Sequence, residues 1–264
     1  MRIKTIVLGA LAGVVAVAAW RGYTVYEHRT ALHERIAQVQ NVVVPKAQPK
    51  PTPETIAQIE KQPKQEEEVN WDVPFTPQAP LANWDAVHEE ACEEASVLMV
   101  LKYFAGKPIG TPAEADQAIL RLVDRNEHIL GFAVDQTAQQ VAALIALENN
   151  RLRVSVVAHP SENSIKQALA RGFLVIVPAA GRQLKNPYFQ QPGPLYHMLV
   201  IRGYTKDGYV ITNDPGTKRG AGFLYPWQTL LDAIHDWNNG DVDHGDKVMI
   251  LVGQYVIGES AVGG

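Results

Sequence analysis

The run from Cys92 to Phe104, CEEASVLMVLKYF, constrains this chain more than any other stretch. Its apolar residues (Ala95, Val97, Leu98, Met99, Val100, Leu101, Tyr103 and Phe104) surround a helix rather than forming one stripe. A helix apolar all round must sit at the centre of a domain, with other elements packed about it. The run opens on Cys92, the only cysteine in the chain. A thiol at a helix N-terminus lies at the positive end of the macrodipole, which favours the thiolate. Taken alone, such a cysteine is more often a small core residue, because free cysteine is among the most buried residue types. The remaining sequence decides between the two by supplying, or failing to supply, a base and a group to orient it.

The segment upstream has the order of an export signal. Arg2 and Lys4 precede an uncharged stretch from Thr5 to Trp20, and Arg21 closes it. At about 16 residues the stretch is short for a spanning helix, which needs about 20. Two readings stand: a signal-anchor running on to Tyr23, or a signal peptide cleaved after Ala16-Val17-Ala18. We take residues 1–23 as this segment, with the rest on the exported face of the membrane, held by a single-pass anchor or secreted after cleavage. Arg21, Arg29 and Arg35 weaken that orientation. Residues 24–70 read as a helical spacer followed by a Pro-, Lys- and Glu-rich linker that cannot bury enough apolar surface to fold alone. The net charge of −4 argues against nucleic acid as a partner.

From Trp71 the composition becomes that of a packed domain, taken as residues 71–256, with 257–264 as a flexible tail. Helices are predicted over Pro112–Arg125 (capped by Thr111), Thr137–Leu147, Ser161–Arg171 and Pro226–Trp237. Strands are predicted over Arg153–Ala158, Phe173–Pro178, His197–Tyr204, Gly208–Thr212 and Val248–Val252. Helices first and strands later point to an α+β fold, with the N-terminal central helix packed on an antiparallel sheet.

The strands His197–Tyr204 and Gly208–Thr212 read as a hairpin, and that hairpin carries the chemistry. His197 begins its first strand and Asp214 follows the end of its second. Antiparallel strands joined by a short turn place the start of one beside the end of the other, so carboxylate and imidazole are expected to meet. Asp214 would then fix the His197 tautomer, and His197 would take the proton of Cys92. Gln78, in a Pro-bounded loop, is the candidate oxyanion donor, beside the Cys92 N–H. Singly each has an ordinary structural reading: His197 as a satisfied strand histidine, Asp214 as a turn residue in NDPG, Gln78 as uninformative. The inference rests on the set and its order.

VPFTPQ, ACEEASVLMVL, YHMLVIRGY and YVITNDPG together resemble the C-39-like cysteine peptidases. These are relatives of the double-glycine leader peptidases fused to bacteriocin exporters. The resemblance spans Trp71 to about Val256. It implies a papain-like fold, a thiol-dependent peptidase with a peptide or protein substrate, and no metal or cofactor. It maps catalytic roles onto Cys92, His197, Asp214 and Gln78. One departure matters: the family commonly has Gly-Pro after the cysteine, and this chain has Glu93-Glu94. Carboxylates facing the site would raise the thiol pKa or select a cationic substrate group. There is no Walker-type loop.

Trp84 and Tyr196 are candidate substrate-cleft residues that could equally be packing. His88 is close to Cys92 in sequence, but as part of the same entry loop, and ranks well below His197 as the base. His128, His159 and His235 lack metal-ligand spacing. Asp241-Val242-Asp243-His244-Gly245-Asp246 lacks the pattern of a calcium loop. Two other functions use the same residues: a catalytically silent domain binding peptide or cell wall, and a cell-wall amidase or transpeptidase.

Overall fold

The structure is a computed structural model that describes residues 42–52, 67–131 and 134–254, with Tyr23 and Thr30 as isolated positions. Of the unit Met1–Val42 only Tyr23, Thr30 and Val42 are described, so the expected signal segment lies outside the described residues, as does the tail 257–264. Among the described residues no helix is long and apolar enough to cross a membrane. The second unit, Val43–Gly264, holds the sheet and the helices packed on it.

Helix α1, Cys92–Ala105, is the central element, with Ala95, Val97, Met99 and Val100 fully buried. It stops at Gly106, whose φ of 64° lets its N–H cap the carbonyls of Lys102 and Tyr103. Helix α2, Pro112–Arg125, begins with the Thr111–Glu114 capping box and Pro112 in the first turn. Helix α3, Ala138–Glu148, has the same device in Thr137 and Gln140. Helix α4, Glu162–Ala170, is capped by Ser161.

The sheet is antiparallel at every pairing: β1 (Val69–Asn70), β2 (Leu152–Ala158), β3 (Leu174–Ala180), β4 (Tyr196–Tyr204), β5 (Tyr209–Asn213), β6 (Ala221–Pro226) and β7 (Val248–Gln254). Its order is β2-β7-β3-β4-β5-β6, and β1 pairs with the far end of β4. The fold is therefore α+β, with helices packed on an antiparallel sheet. Strand β4, buried along its whole length, lies at the centre between β3 and β5.

Three features depart from the expectation. Strand β6 is additional; Gly222 and the terminal Pro226 hide it as a turn. The helix expected over Pro226–Trp237 is only α5, Trp227–Ala233, because Ile234 leaves the helix (ψ 111°) to bridge Ala179 of β3. The start of the expected linker lies against the domain. The backbone N–H of Gln48 donates to Asn70 O (2.6 Å) and that of Asp72 to Gln48 O (2.6 Å). Asn70 Nδ2 donates to Pro45 O (2.6 Å), and Lys50 Nζ to Phe104 O (2.8 Å). A polar stretch needs no core of its own when a strand edge offers free backbone groups.

Candidate active site

Helix α1 reaches the sheet at Met198 of β4. Met198 is opposite Pro178 of β3, whose carbonyl faces away from β4 and accepts the His235 N–H; the two are a non-hydrogen-bonded pair, and the Met198 backbone groups face the helix. Ser96 Oγ donates to Met198 O at 3.3 Å, and the Met198 backbone lies beside the sulfur of Cys92, one turn earlier on the same helix face. The thiol is thus seated beside the residue that follows His197.

His197 is buried and its Nε2 lies 2.8 Å from Asp214 Oδ1. Asp214 is one residue past Asn213, whose partner across the hairpin is Val200. The expected meeting of the two strand ends is therefore present. Asp214 is fully buried and collects three further donors. Gly216 N reaches Oδ1 at 3.0 Å, while Asn186 Nδ2 (3.0 Å) and Tyr225 OH (2.6 Å) reach Oδ2. Burial pushes its carboxyl up, but His197 and these donors outweigh that and hold it below the usual value. The imidazole is boxed in as well. Phe189 packs edge-on, with ring centres 5.2 Å apart. Gly216 leaves room for both rings: a Cβ there would lie 2.7 Å from Phe189 Cε1 and 2.9 Å from His197 Cε1.

The thiol departs from the expectation of a lowered pKa. Cys92 is only 5% exposed, and its Sγ donates to Glu93 Oε2 at 3.0 Å. Burial, then the charge and hydrogen bond of Glu93, then Glu94, hold the thiol well above its ordinary value. The Met198 backbone beside the sulfur opposes this without overcoming it. Glu93 and Glu94 both face inward. Glu93 Oε1 accepts from Gln136 N at 3.0 Å. Glu94 Oε1 accepts from Gln136 Nε2 at 2.7 Å and from Asn126 Nδ2. Burial and the neighbouring Glu94 raise Glu93 to about 8.

Gln78 is buried, but its amide is already engaged. Nε2 donates to His88 O and Glu89 O, both at 2.8 Å, and Oε1 is buried without a partner. In this arrangement it clamps the loop that leads into α1 rather than presenting a free donor. His88 belongs to that clamp: Nδ1 lies 2.7 Å from Asp85 and Nε2 3.1 Å from Asp116. Tyr196 is buried, and its OH donates to Gln136 O at 2.8 Å, so it packs the Gln136 loop and offers no surface to a substrate. Trp84 is 47% exposed in the entry loop.

Asn186 and Tyr225 were not legible as site residues. Both are far from Asp214 in sequence, and only the fold brings them to it. Gly216 was missed too but could have been found, since the hairpin register, extended past Asn213, runs to His197. Among the described residues no three His, Cys, Asp or Glu side chains are arranged to hold a metal. A cavity of about 370 Å³ lies at the other end of α1, lined by Lys102, Lys107, Arg121 and Glu114 among others.

Comparison with known proteins supplies the family. No curated protein matches the chain. Among the solved structures to which the chain is similar are two cysteine-peptidase folds. One is a C39-like peptidase of Bacillus anthracis, at 14% identity and a TM-score of 0.48, covering 72% of this chain and 99% of that one. The other is a prointerpain A fragment of Prevotella intermedia, at 13% identity and a TM-score of 0.44, covering 86% and 82%. Residues 71–239, well over half the chain, match the Peptidase_C39 like family. The matched segment holds the seated thiol, the His197–Asp214 pair and the Gln78 clamp, and the chain belongs to the Peptidase_C39 like family.

Proposed function

We propose that this chain is a thiol peptidase of papain-like fold, acting on a peptide or protein from the exported face of the membrane. The observation that carries the reading is the packing of the start of α1, with Cys92, against Met198 of β4, the residue that follows a buried His197 already oriented by Asp214. Cys92 attacks the scissile carbonyl. His197 moves the proton to the leaving amine, and Asp214 fixes its tautomer through Nε2, leaving Nδ1 for the reaction. The Cys92 N–H at the start of α1 stabilises the oxyanion. Gln78 joins it only by exchanging one of its two carbonyl bonds for the substrate. The reaction needs no metal or cofactor.

A second reading has its own support. Cys92 is buried and its thiol is held protonated, as in a catalytically silent domain that binds peptide or cell-wall material. A third, a cell-wall amidase or transpeptidase, uses the same residues on another amide. One assay separates all three: amine release from a peptide library and from peptidoglycan fragments, by the full chain and by Cys92→Ala. Release from peptides that disappears in Cys92→Ala is the expected result. Release confined to peptidoglycan establishes the third reading. No release from either, or equal release by Cys92→Ala, overturns the peptidase.

A further inference from the structure

The loops that close on the His197–Asp214 pair carry charge of one sign. Residues 181–195 bring Asn186 to Asp214 and Phe189 to the His197 ring, and residues 214–220 bring Gly216 to the same ring. In a chain of net charge −4, these two stretches hold Arg182, Lys185, Lys218 and Arg219, all exposed. Their one acid is Asp214, buried under its own donors. Asp243 reaches the first loop at Gln183 Nε2 (2.7 Å) rather than at a cation. Among the described residues neither Lys218 nor Arg219 is in an ion pair. The loop leading into α1 has the opposite sign: Asp85, Glu89 and Glu90 are exposed there, with no Lys or Arg between Gln78 and Cys92.

Of the four cations, Arg219 is the one fixed on an aromatic face. Its guanidinium lies over the Tyr188 ring, 4.8 Å from the centre, and its backbone N–H donates to Thr217 Oγ1 at 3.2 Å. Tyr188 is fixed in turn. Its N–H donates to Asn186 Oδ1 (3.0 Å), and its ring meets Phe223 edge-on with centres 6.0 Å apart. Asn186 is also the residue whose Nδ2 holds Asp214. Arg219 is thus tied to the His197–Asp214 pair through Tyr188 and Asn186. A stacked guanidinium keeps its in-plane donors free, and that fork matches the two oxygens of a carboxylate. Holding the fork in advance lowers the ordering cost of binding.

His197 hands its proton to the leaving amine, so the loops that touch His197 border the leaving-group side of the scissile bond. We propose, resting on the thiol-peptidase reading, that Arg219 on Tyr188 is a specificity-determining residue. It takes a carboxylate on the leaving-group side, which makes the substrate class peptides with a carboxylate just past the cut bond. That carboxylate is an Asp or Glu side chain or the C-terminus of a short leaving peptide.

The test uses the full chain, p-nitrophenyl acetate as acyl donor, and five amine acceptors at equal concentration. They are Asp-Ala amide, Ala-Asp amide, Ala-Ala amide, Lys-Ala amide, and Ala-Ala with its free carboxylate. An acceptor nitrogen attacks the acetyl carbon on Cys92 and the C–S bond breaks. The amine proton passes to His197 and returns to the thiolate. The acceptor occupies the leaving-group side, so the ratio of acetylated products, read by mass, reports that side whatever the rate of acylation.

An exposed ion pair is worth a few-fold in an equilibrium. A carboxylate-bearing acceptor is therefore expected to be captured about threefold to fivefold over Ala-Ala amide, with Lys-Ala amide last. An excess of the Asp acceptors assigns the side chain, and an excess of the free acid assigns the C-terminus. In Arg219→Gln the ratio falls to near one, and in Arg219→Glu the preference passes to Lys-Ala amide. Equal capture or no capture in wild type, or a preference that Arg219→Glu leaves in place, overturns the assignment while the ester is still turned over through Cys92. No ester turnover by wild type, or the same turnover by Cys92→Ala, overturns the thiol-peptidase reading and the assignment with it.

Discussion

Asp214 has a full set of partners on both carboxylate oxygens in a site closed to water. Removing it takes one acceptor away from each of His197, Gly216, Asn186 and Tyr225. Losing a buried acceptor shared by four donors costs several kcal/mol, since each buried donor left unmatched costs about 1–3 kcal/mol. Asp214→Ala is expected to lose about that much in urea unfolding, while Tyr225→Phe, which deletes one bond to a charged group, loses about 1.5–3 kcal/mol. The sign with pH follows from the depressed carboxyl. Folded Asp214 gives up its proton more readily than unfolded Asp214, so its contribution is present above the unfolded value and lost as pH falls through the folded one. Acid titration of stability is expected to flatten in Asp214→Asn; an unchanged slope would assign the acid sensitivity elsewhere. Cys92, His197 and Asp214 were legible from the sequence because two local rules place them, a helix start and a hairpin end. The direction of Glu93 was not. A first-turn carboxylate can face solvent or the site, and here Gln136, from a loop more than forty residues on, decides it.

At the level of elements, the junction of β1 and β4 is a close contact between backbones. A Cβ on Gly203 would lie 2.1 Å from Val69 O and 2.8 Å from the Asn70 Cα. Gly203→Ala is expected to lever β1 off β4, with amide exchange at Trp71, which donates to Arg202 O, speeding up at least about tenfold. Unchanged exchange would mean the strands absorb the methyl. Most elements here were legible because their signals are local: Thr111, Thr137 and Ser161 cap helices, and the apolar runs have strand lengths. Strand β6 was not, since its pairing with β5 is what makes AGFLYP a strand. The early end of α5 has the same kind of cause, in the bridge from Ile234 to Ala179.

For the molecule as a whole, the described stretch from Pro45 to Lys50 is bonded to the folded unit that holds the sheet. Gln48, Pro45 and Lys50 hold Asn70, Asp72 and the end of α1 by bonds that composition does not reveal. Deleting residues 43–52 from the full chain is expected to lower Tm by several degrees, since about 1 kcal/mol shifts a domain of this size by about 2–4 °C. An unchanged Tm would make the stretch a passive tether. The central claim is that Cys92, seated beside the residue that follows His197, becomes acylated during turnover. The direct measurement is the mass of the full chain, quenched in acid while turning over a peptide ester. The account predicts an acyl mass on the fragment containing Cys92, absent in Cys92→Ala. Turnover with no adduct on that fragment, or turnover that survives in Cys92→Ala, would contradict it.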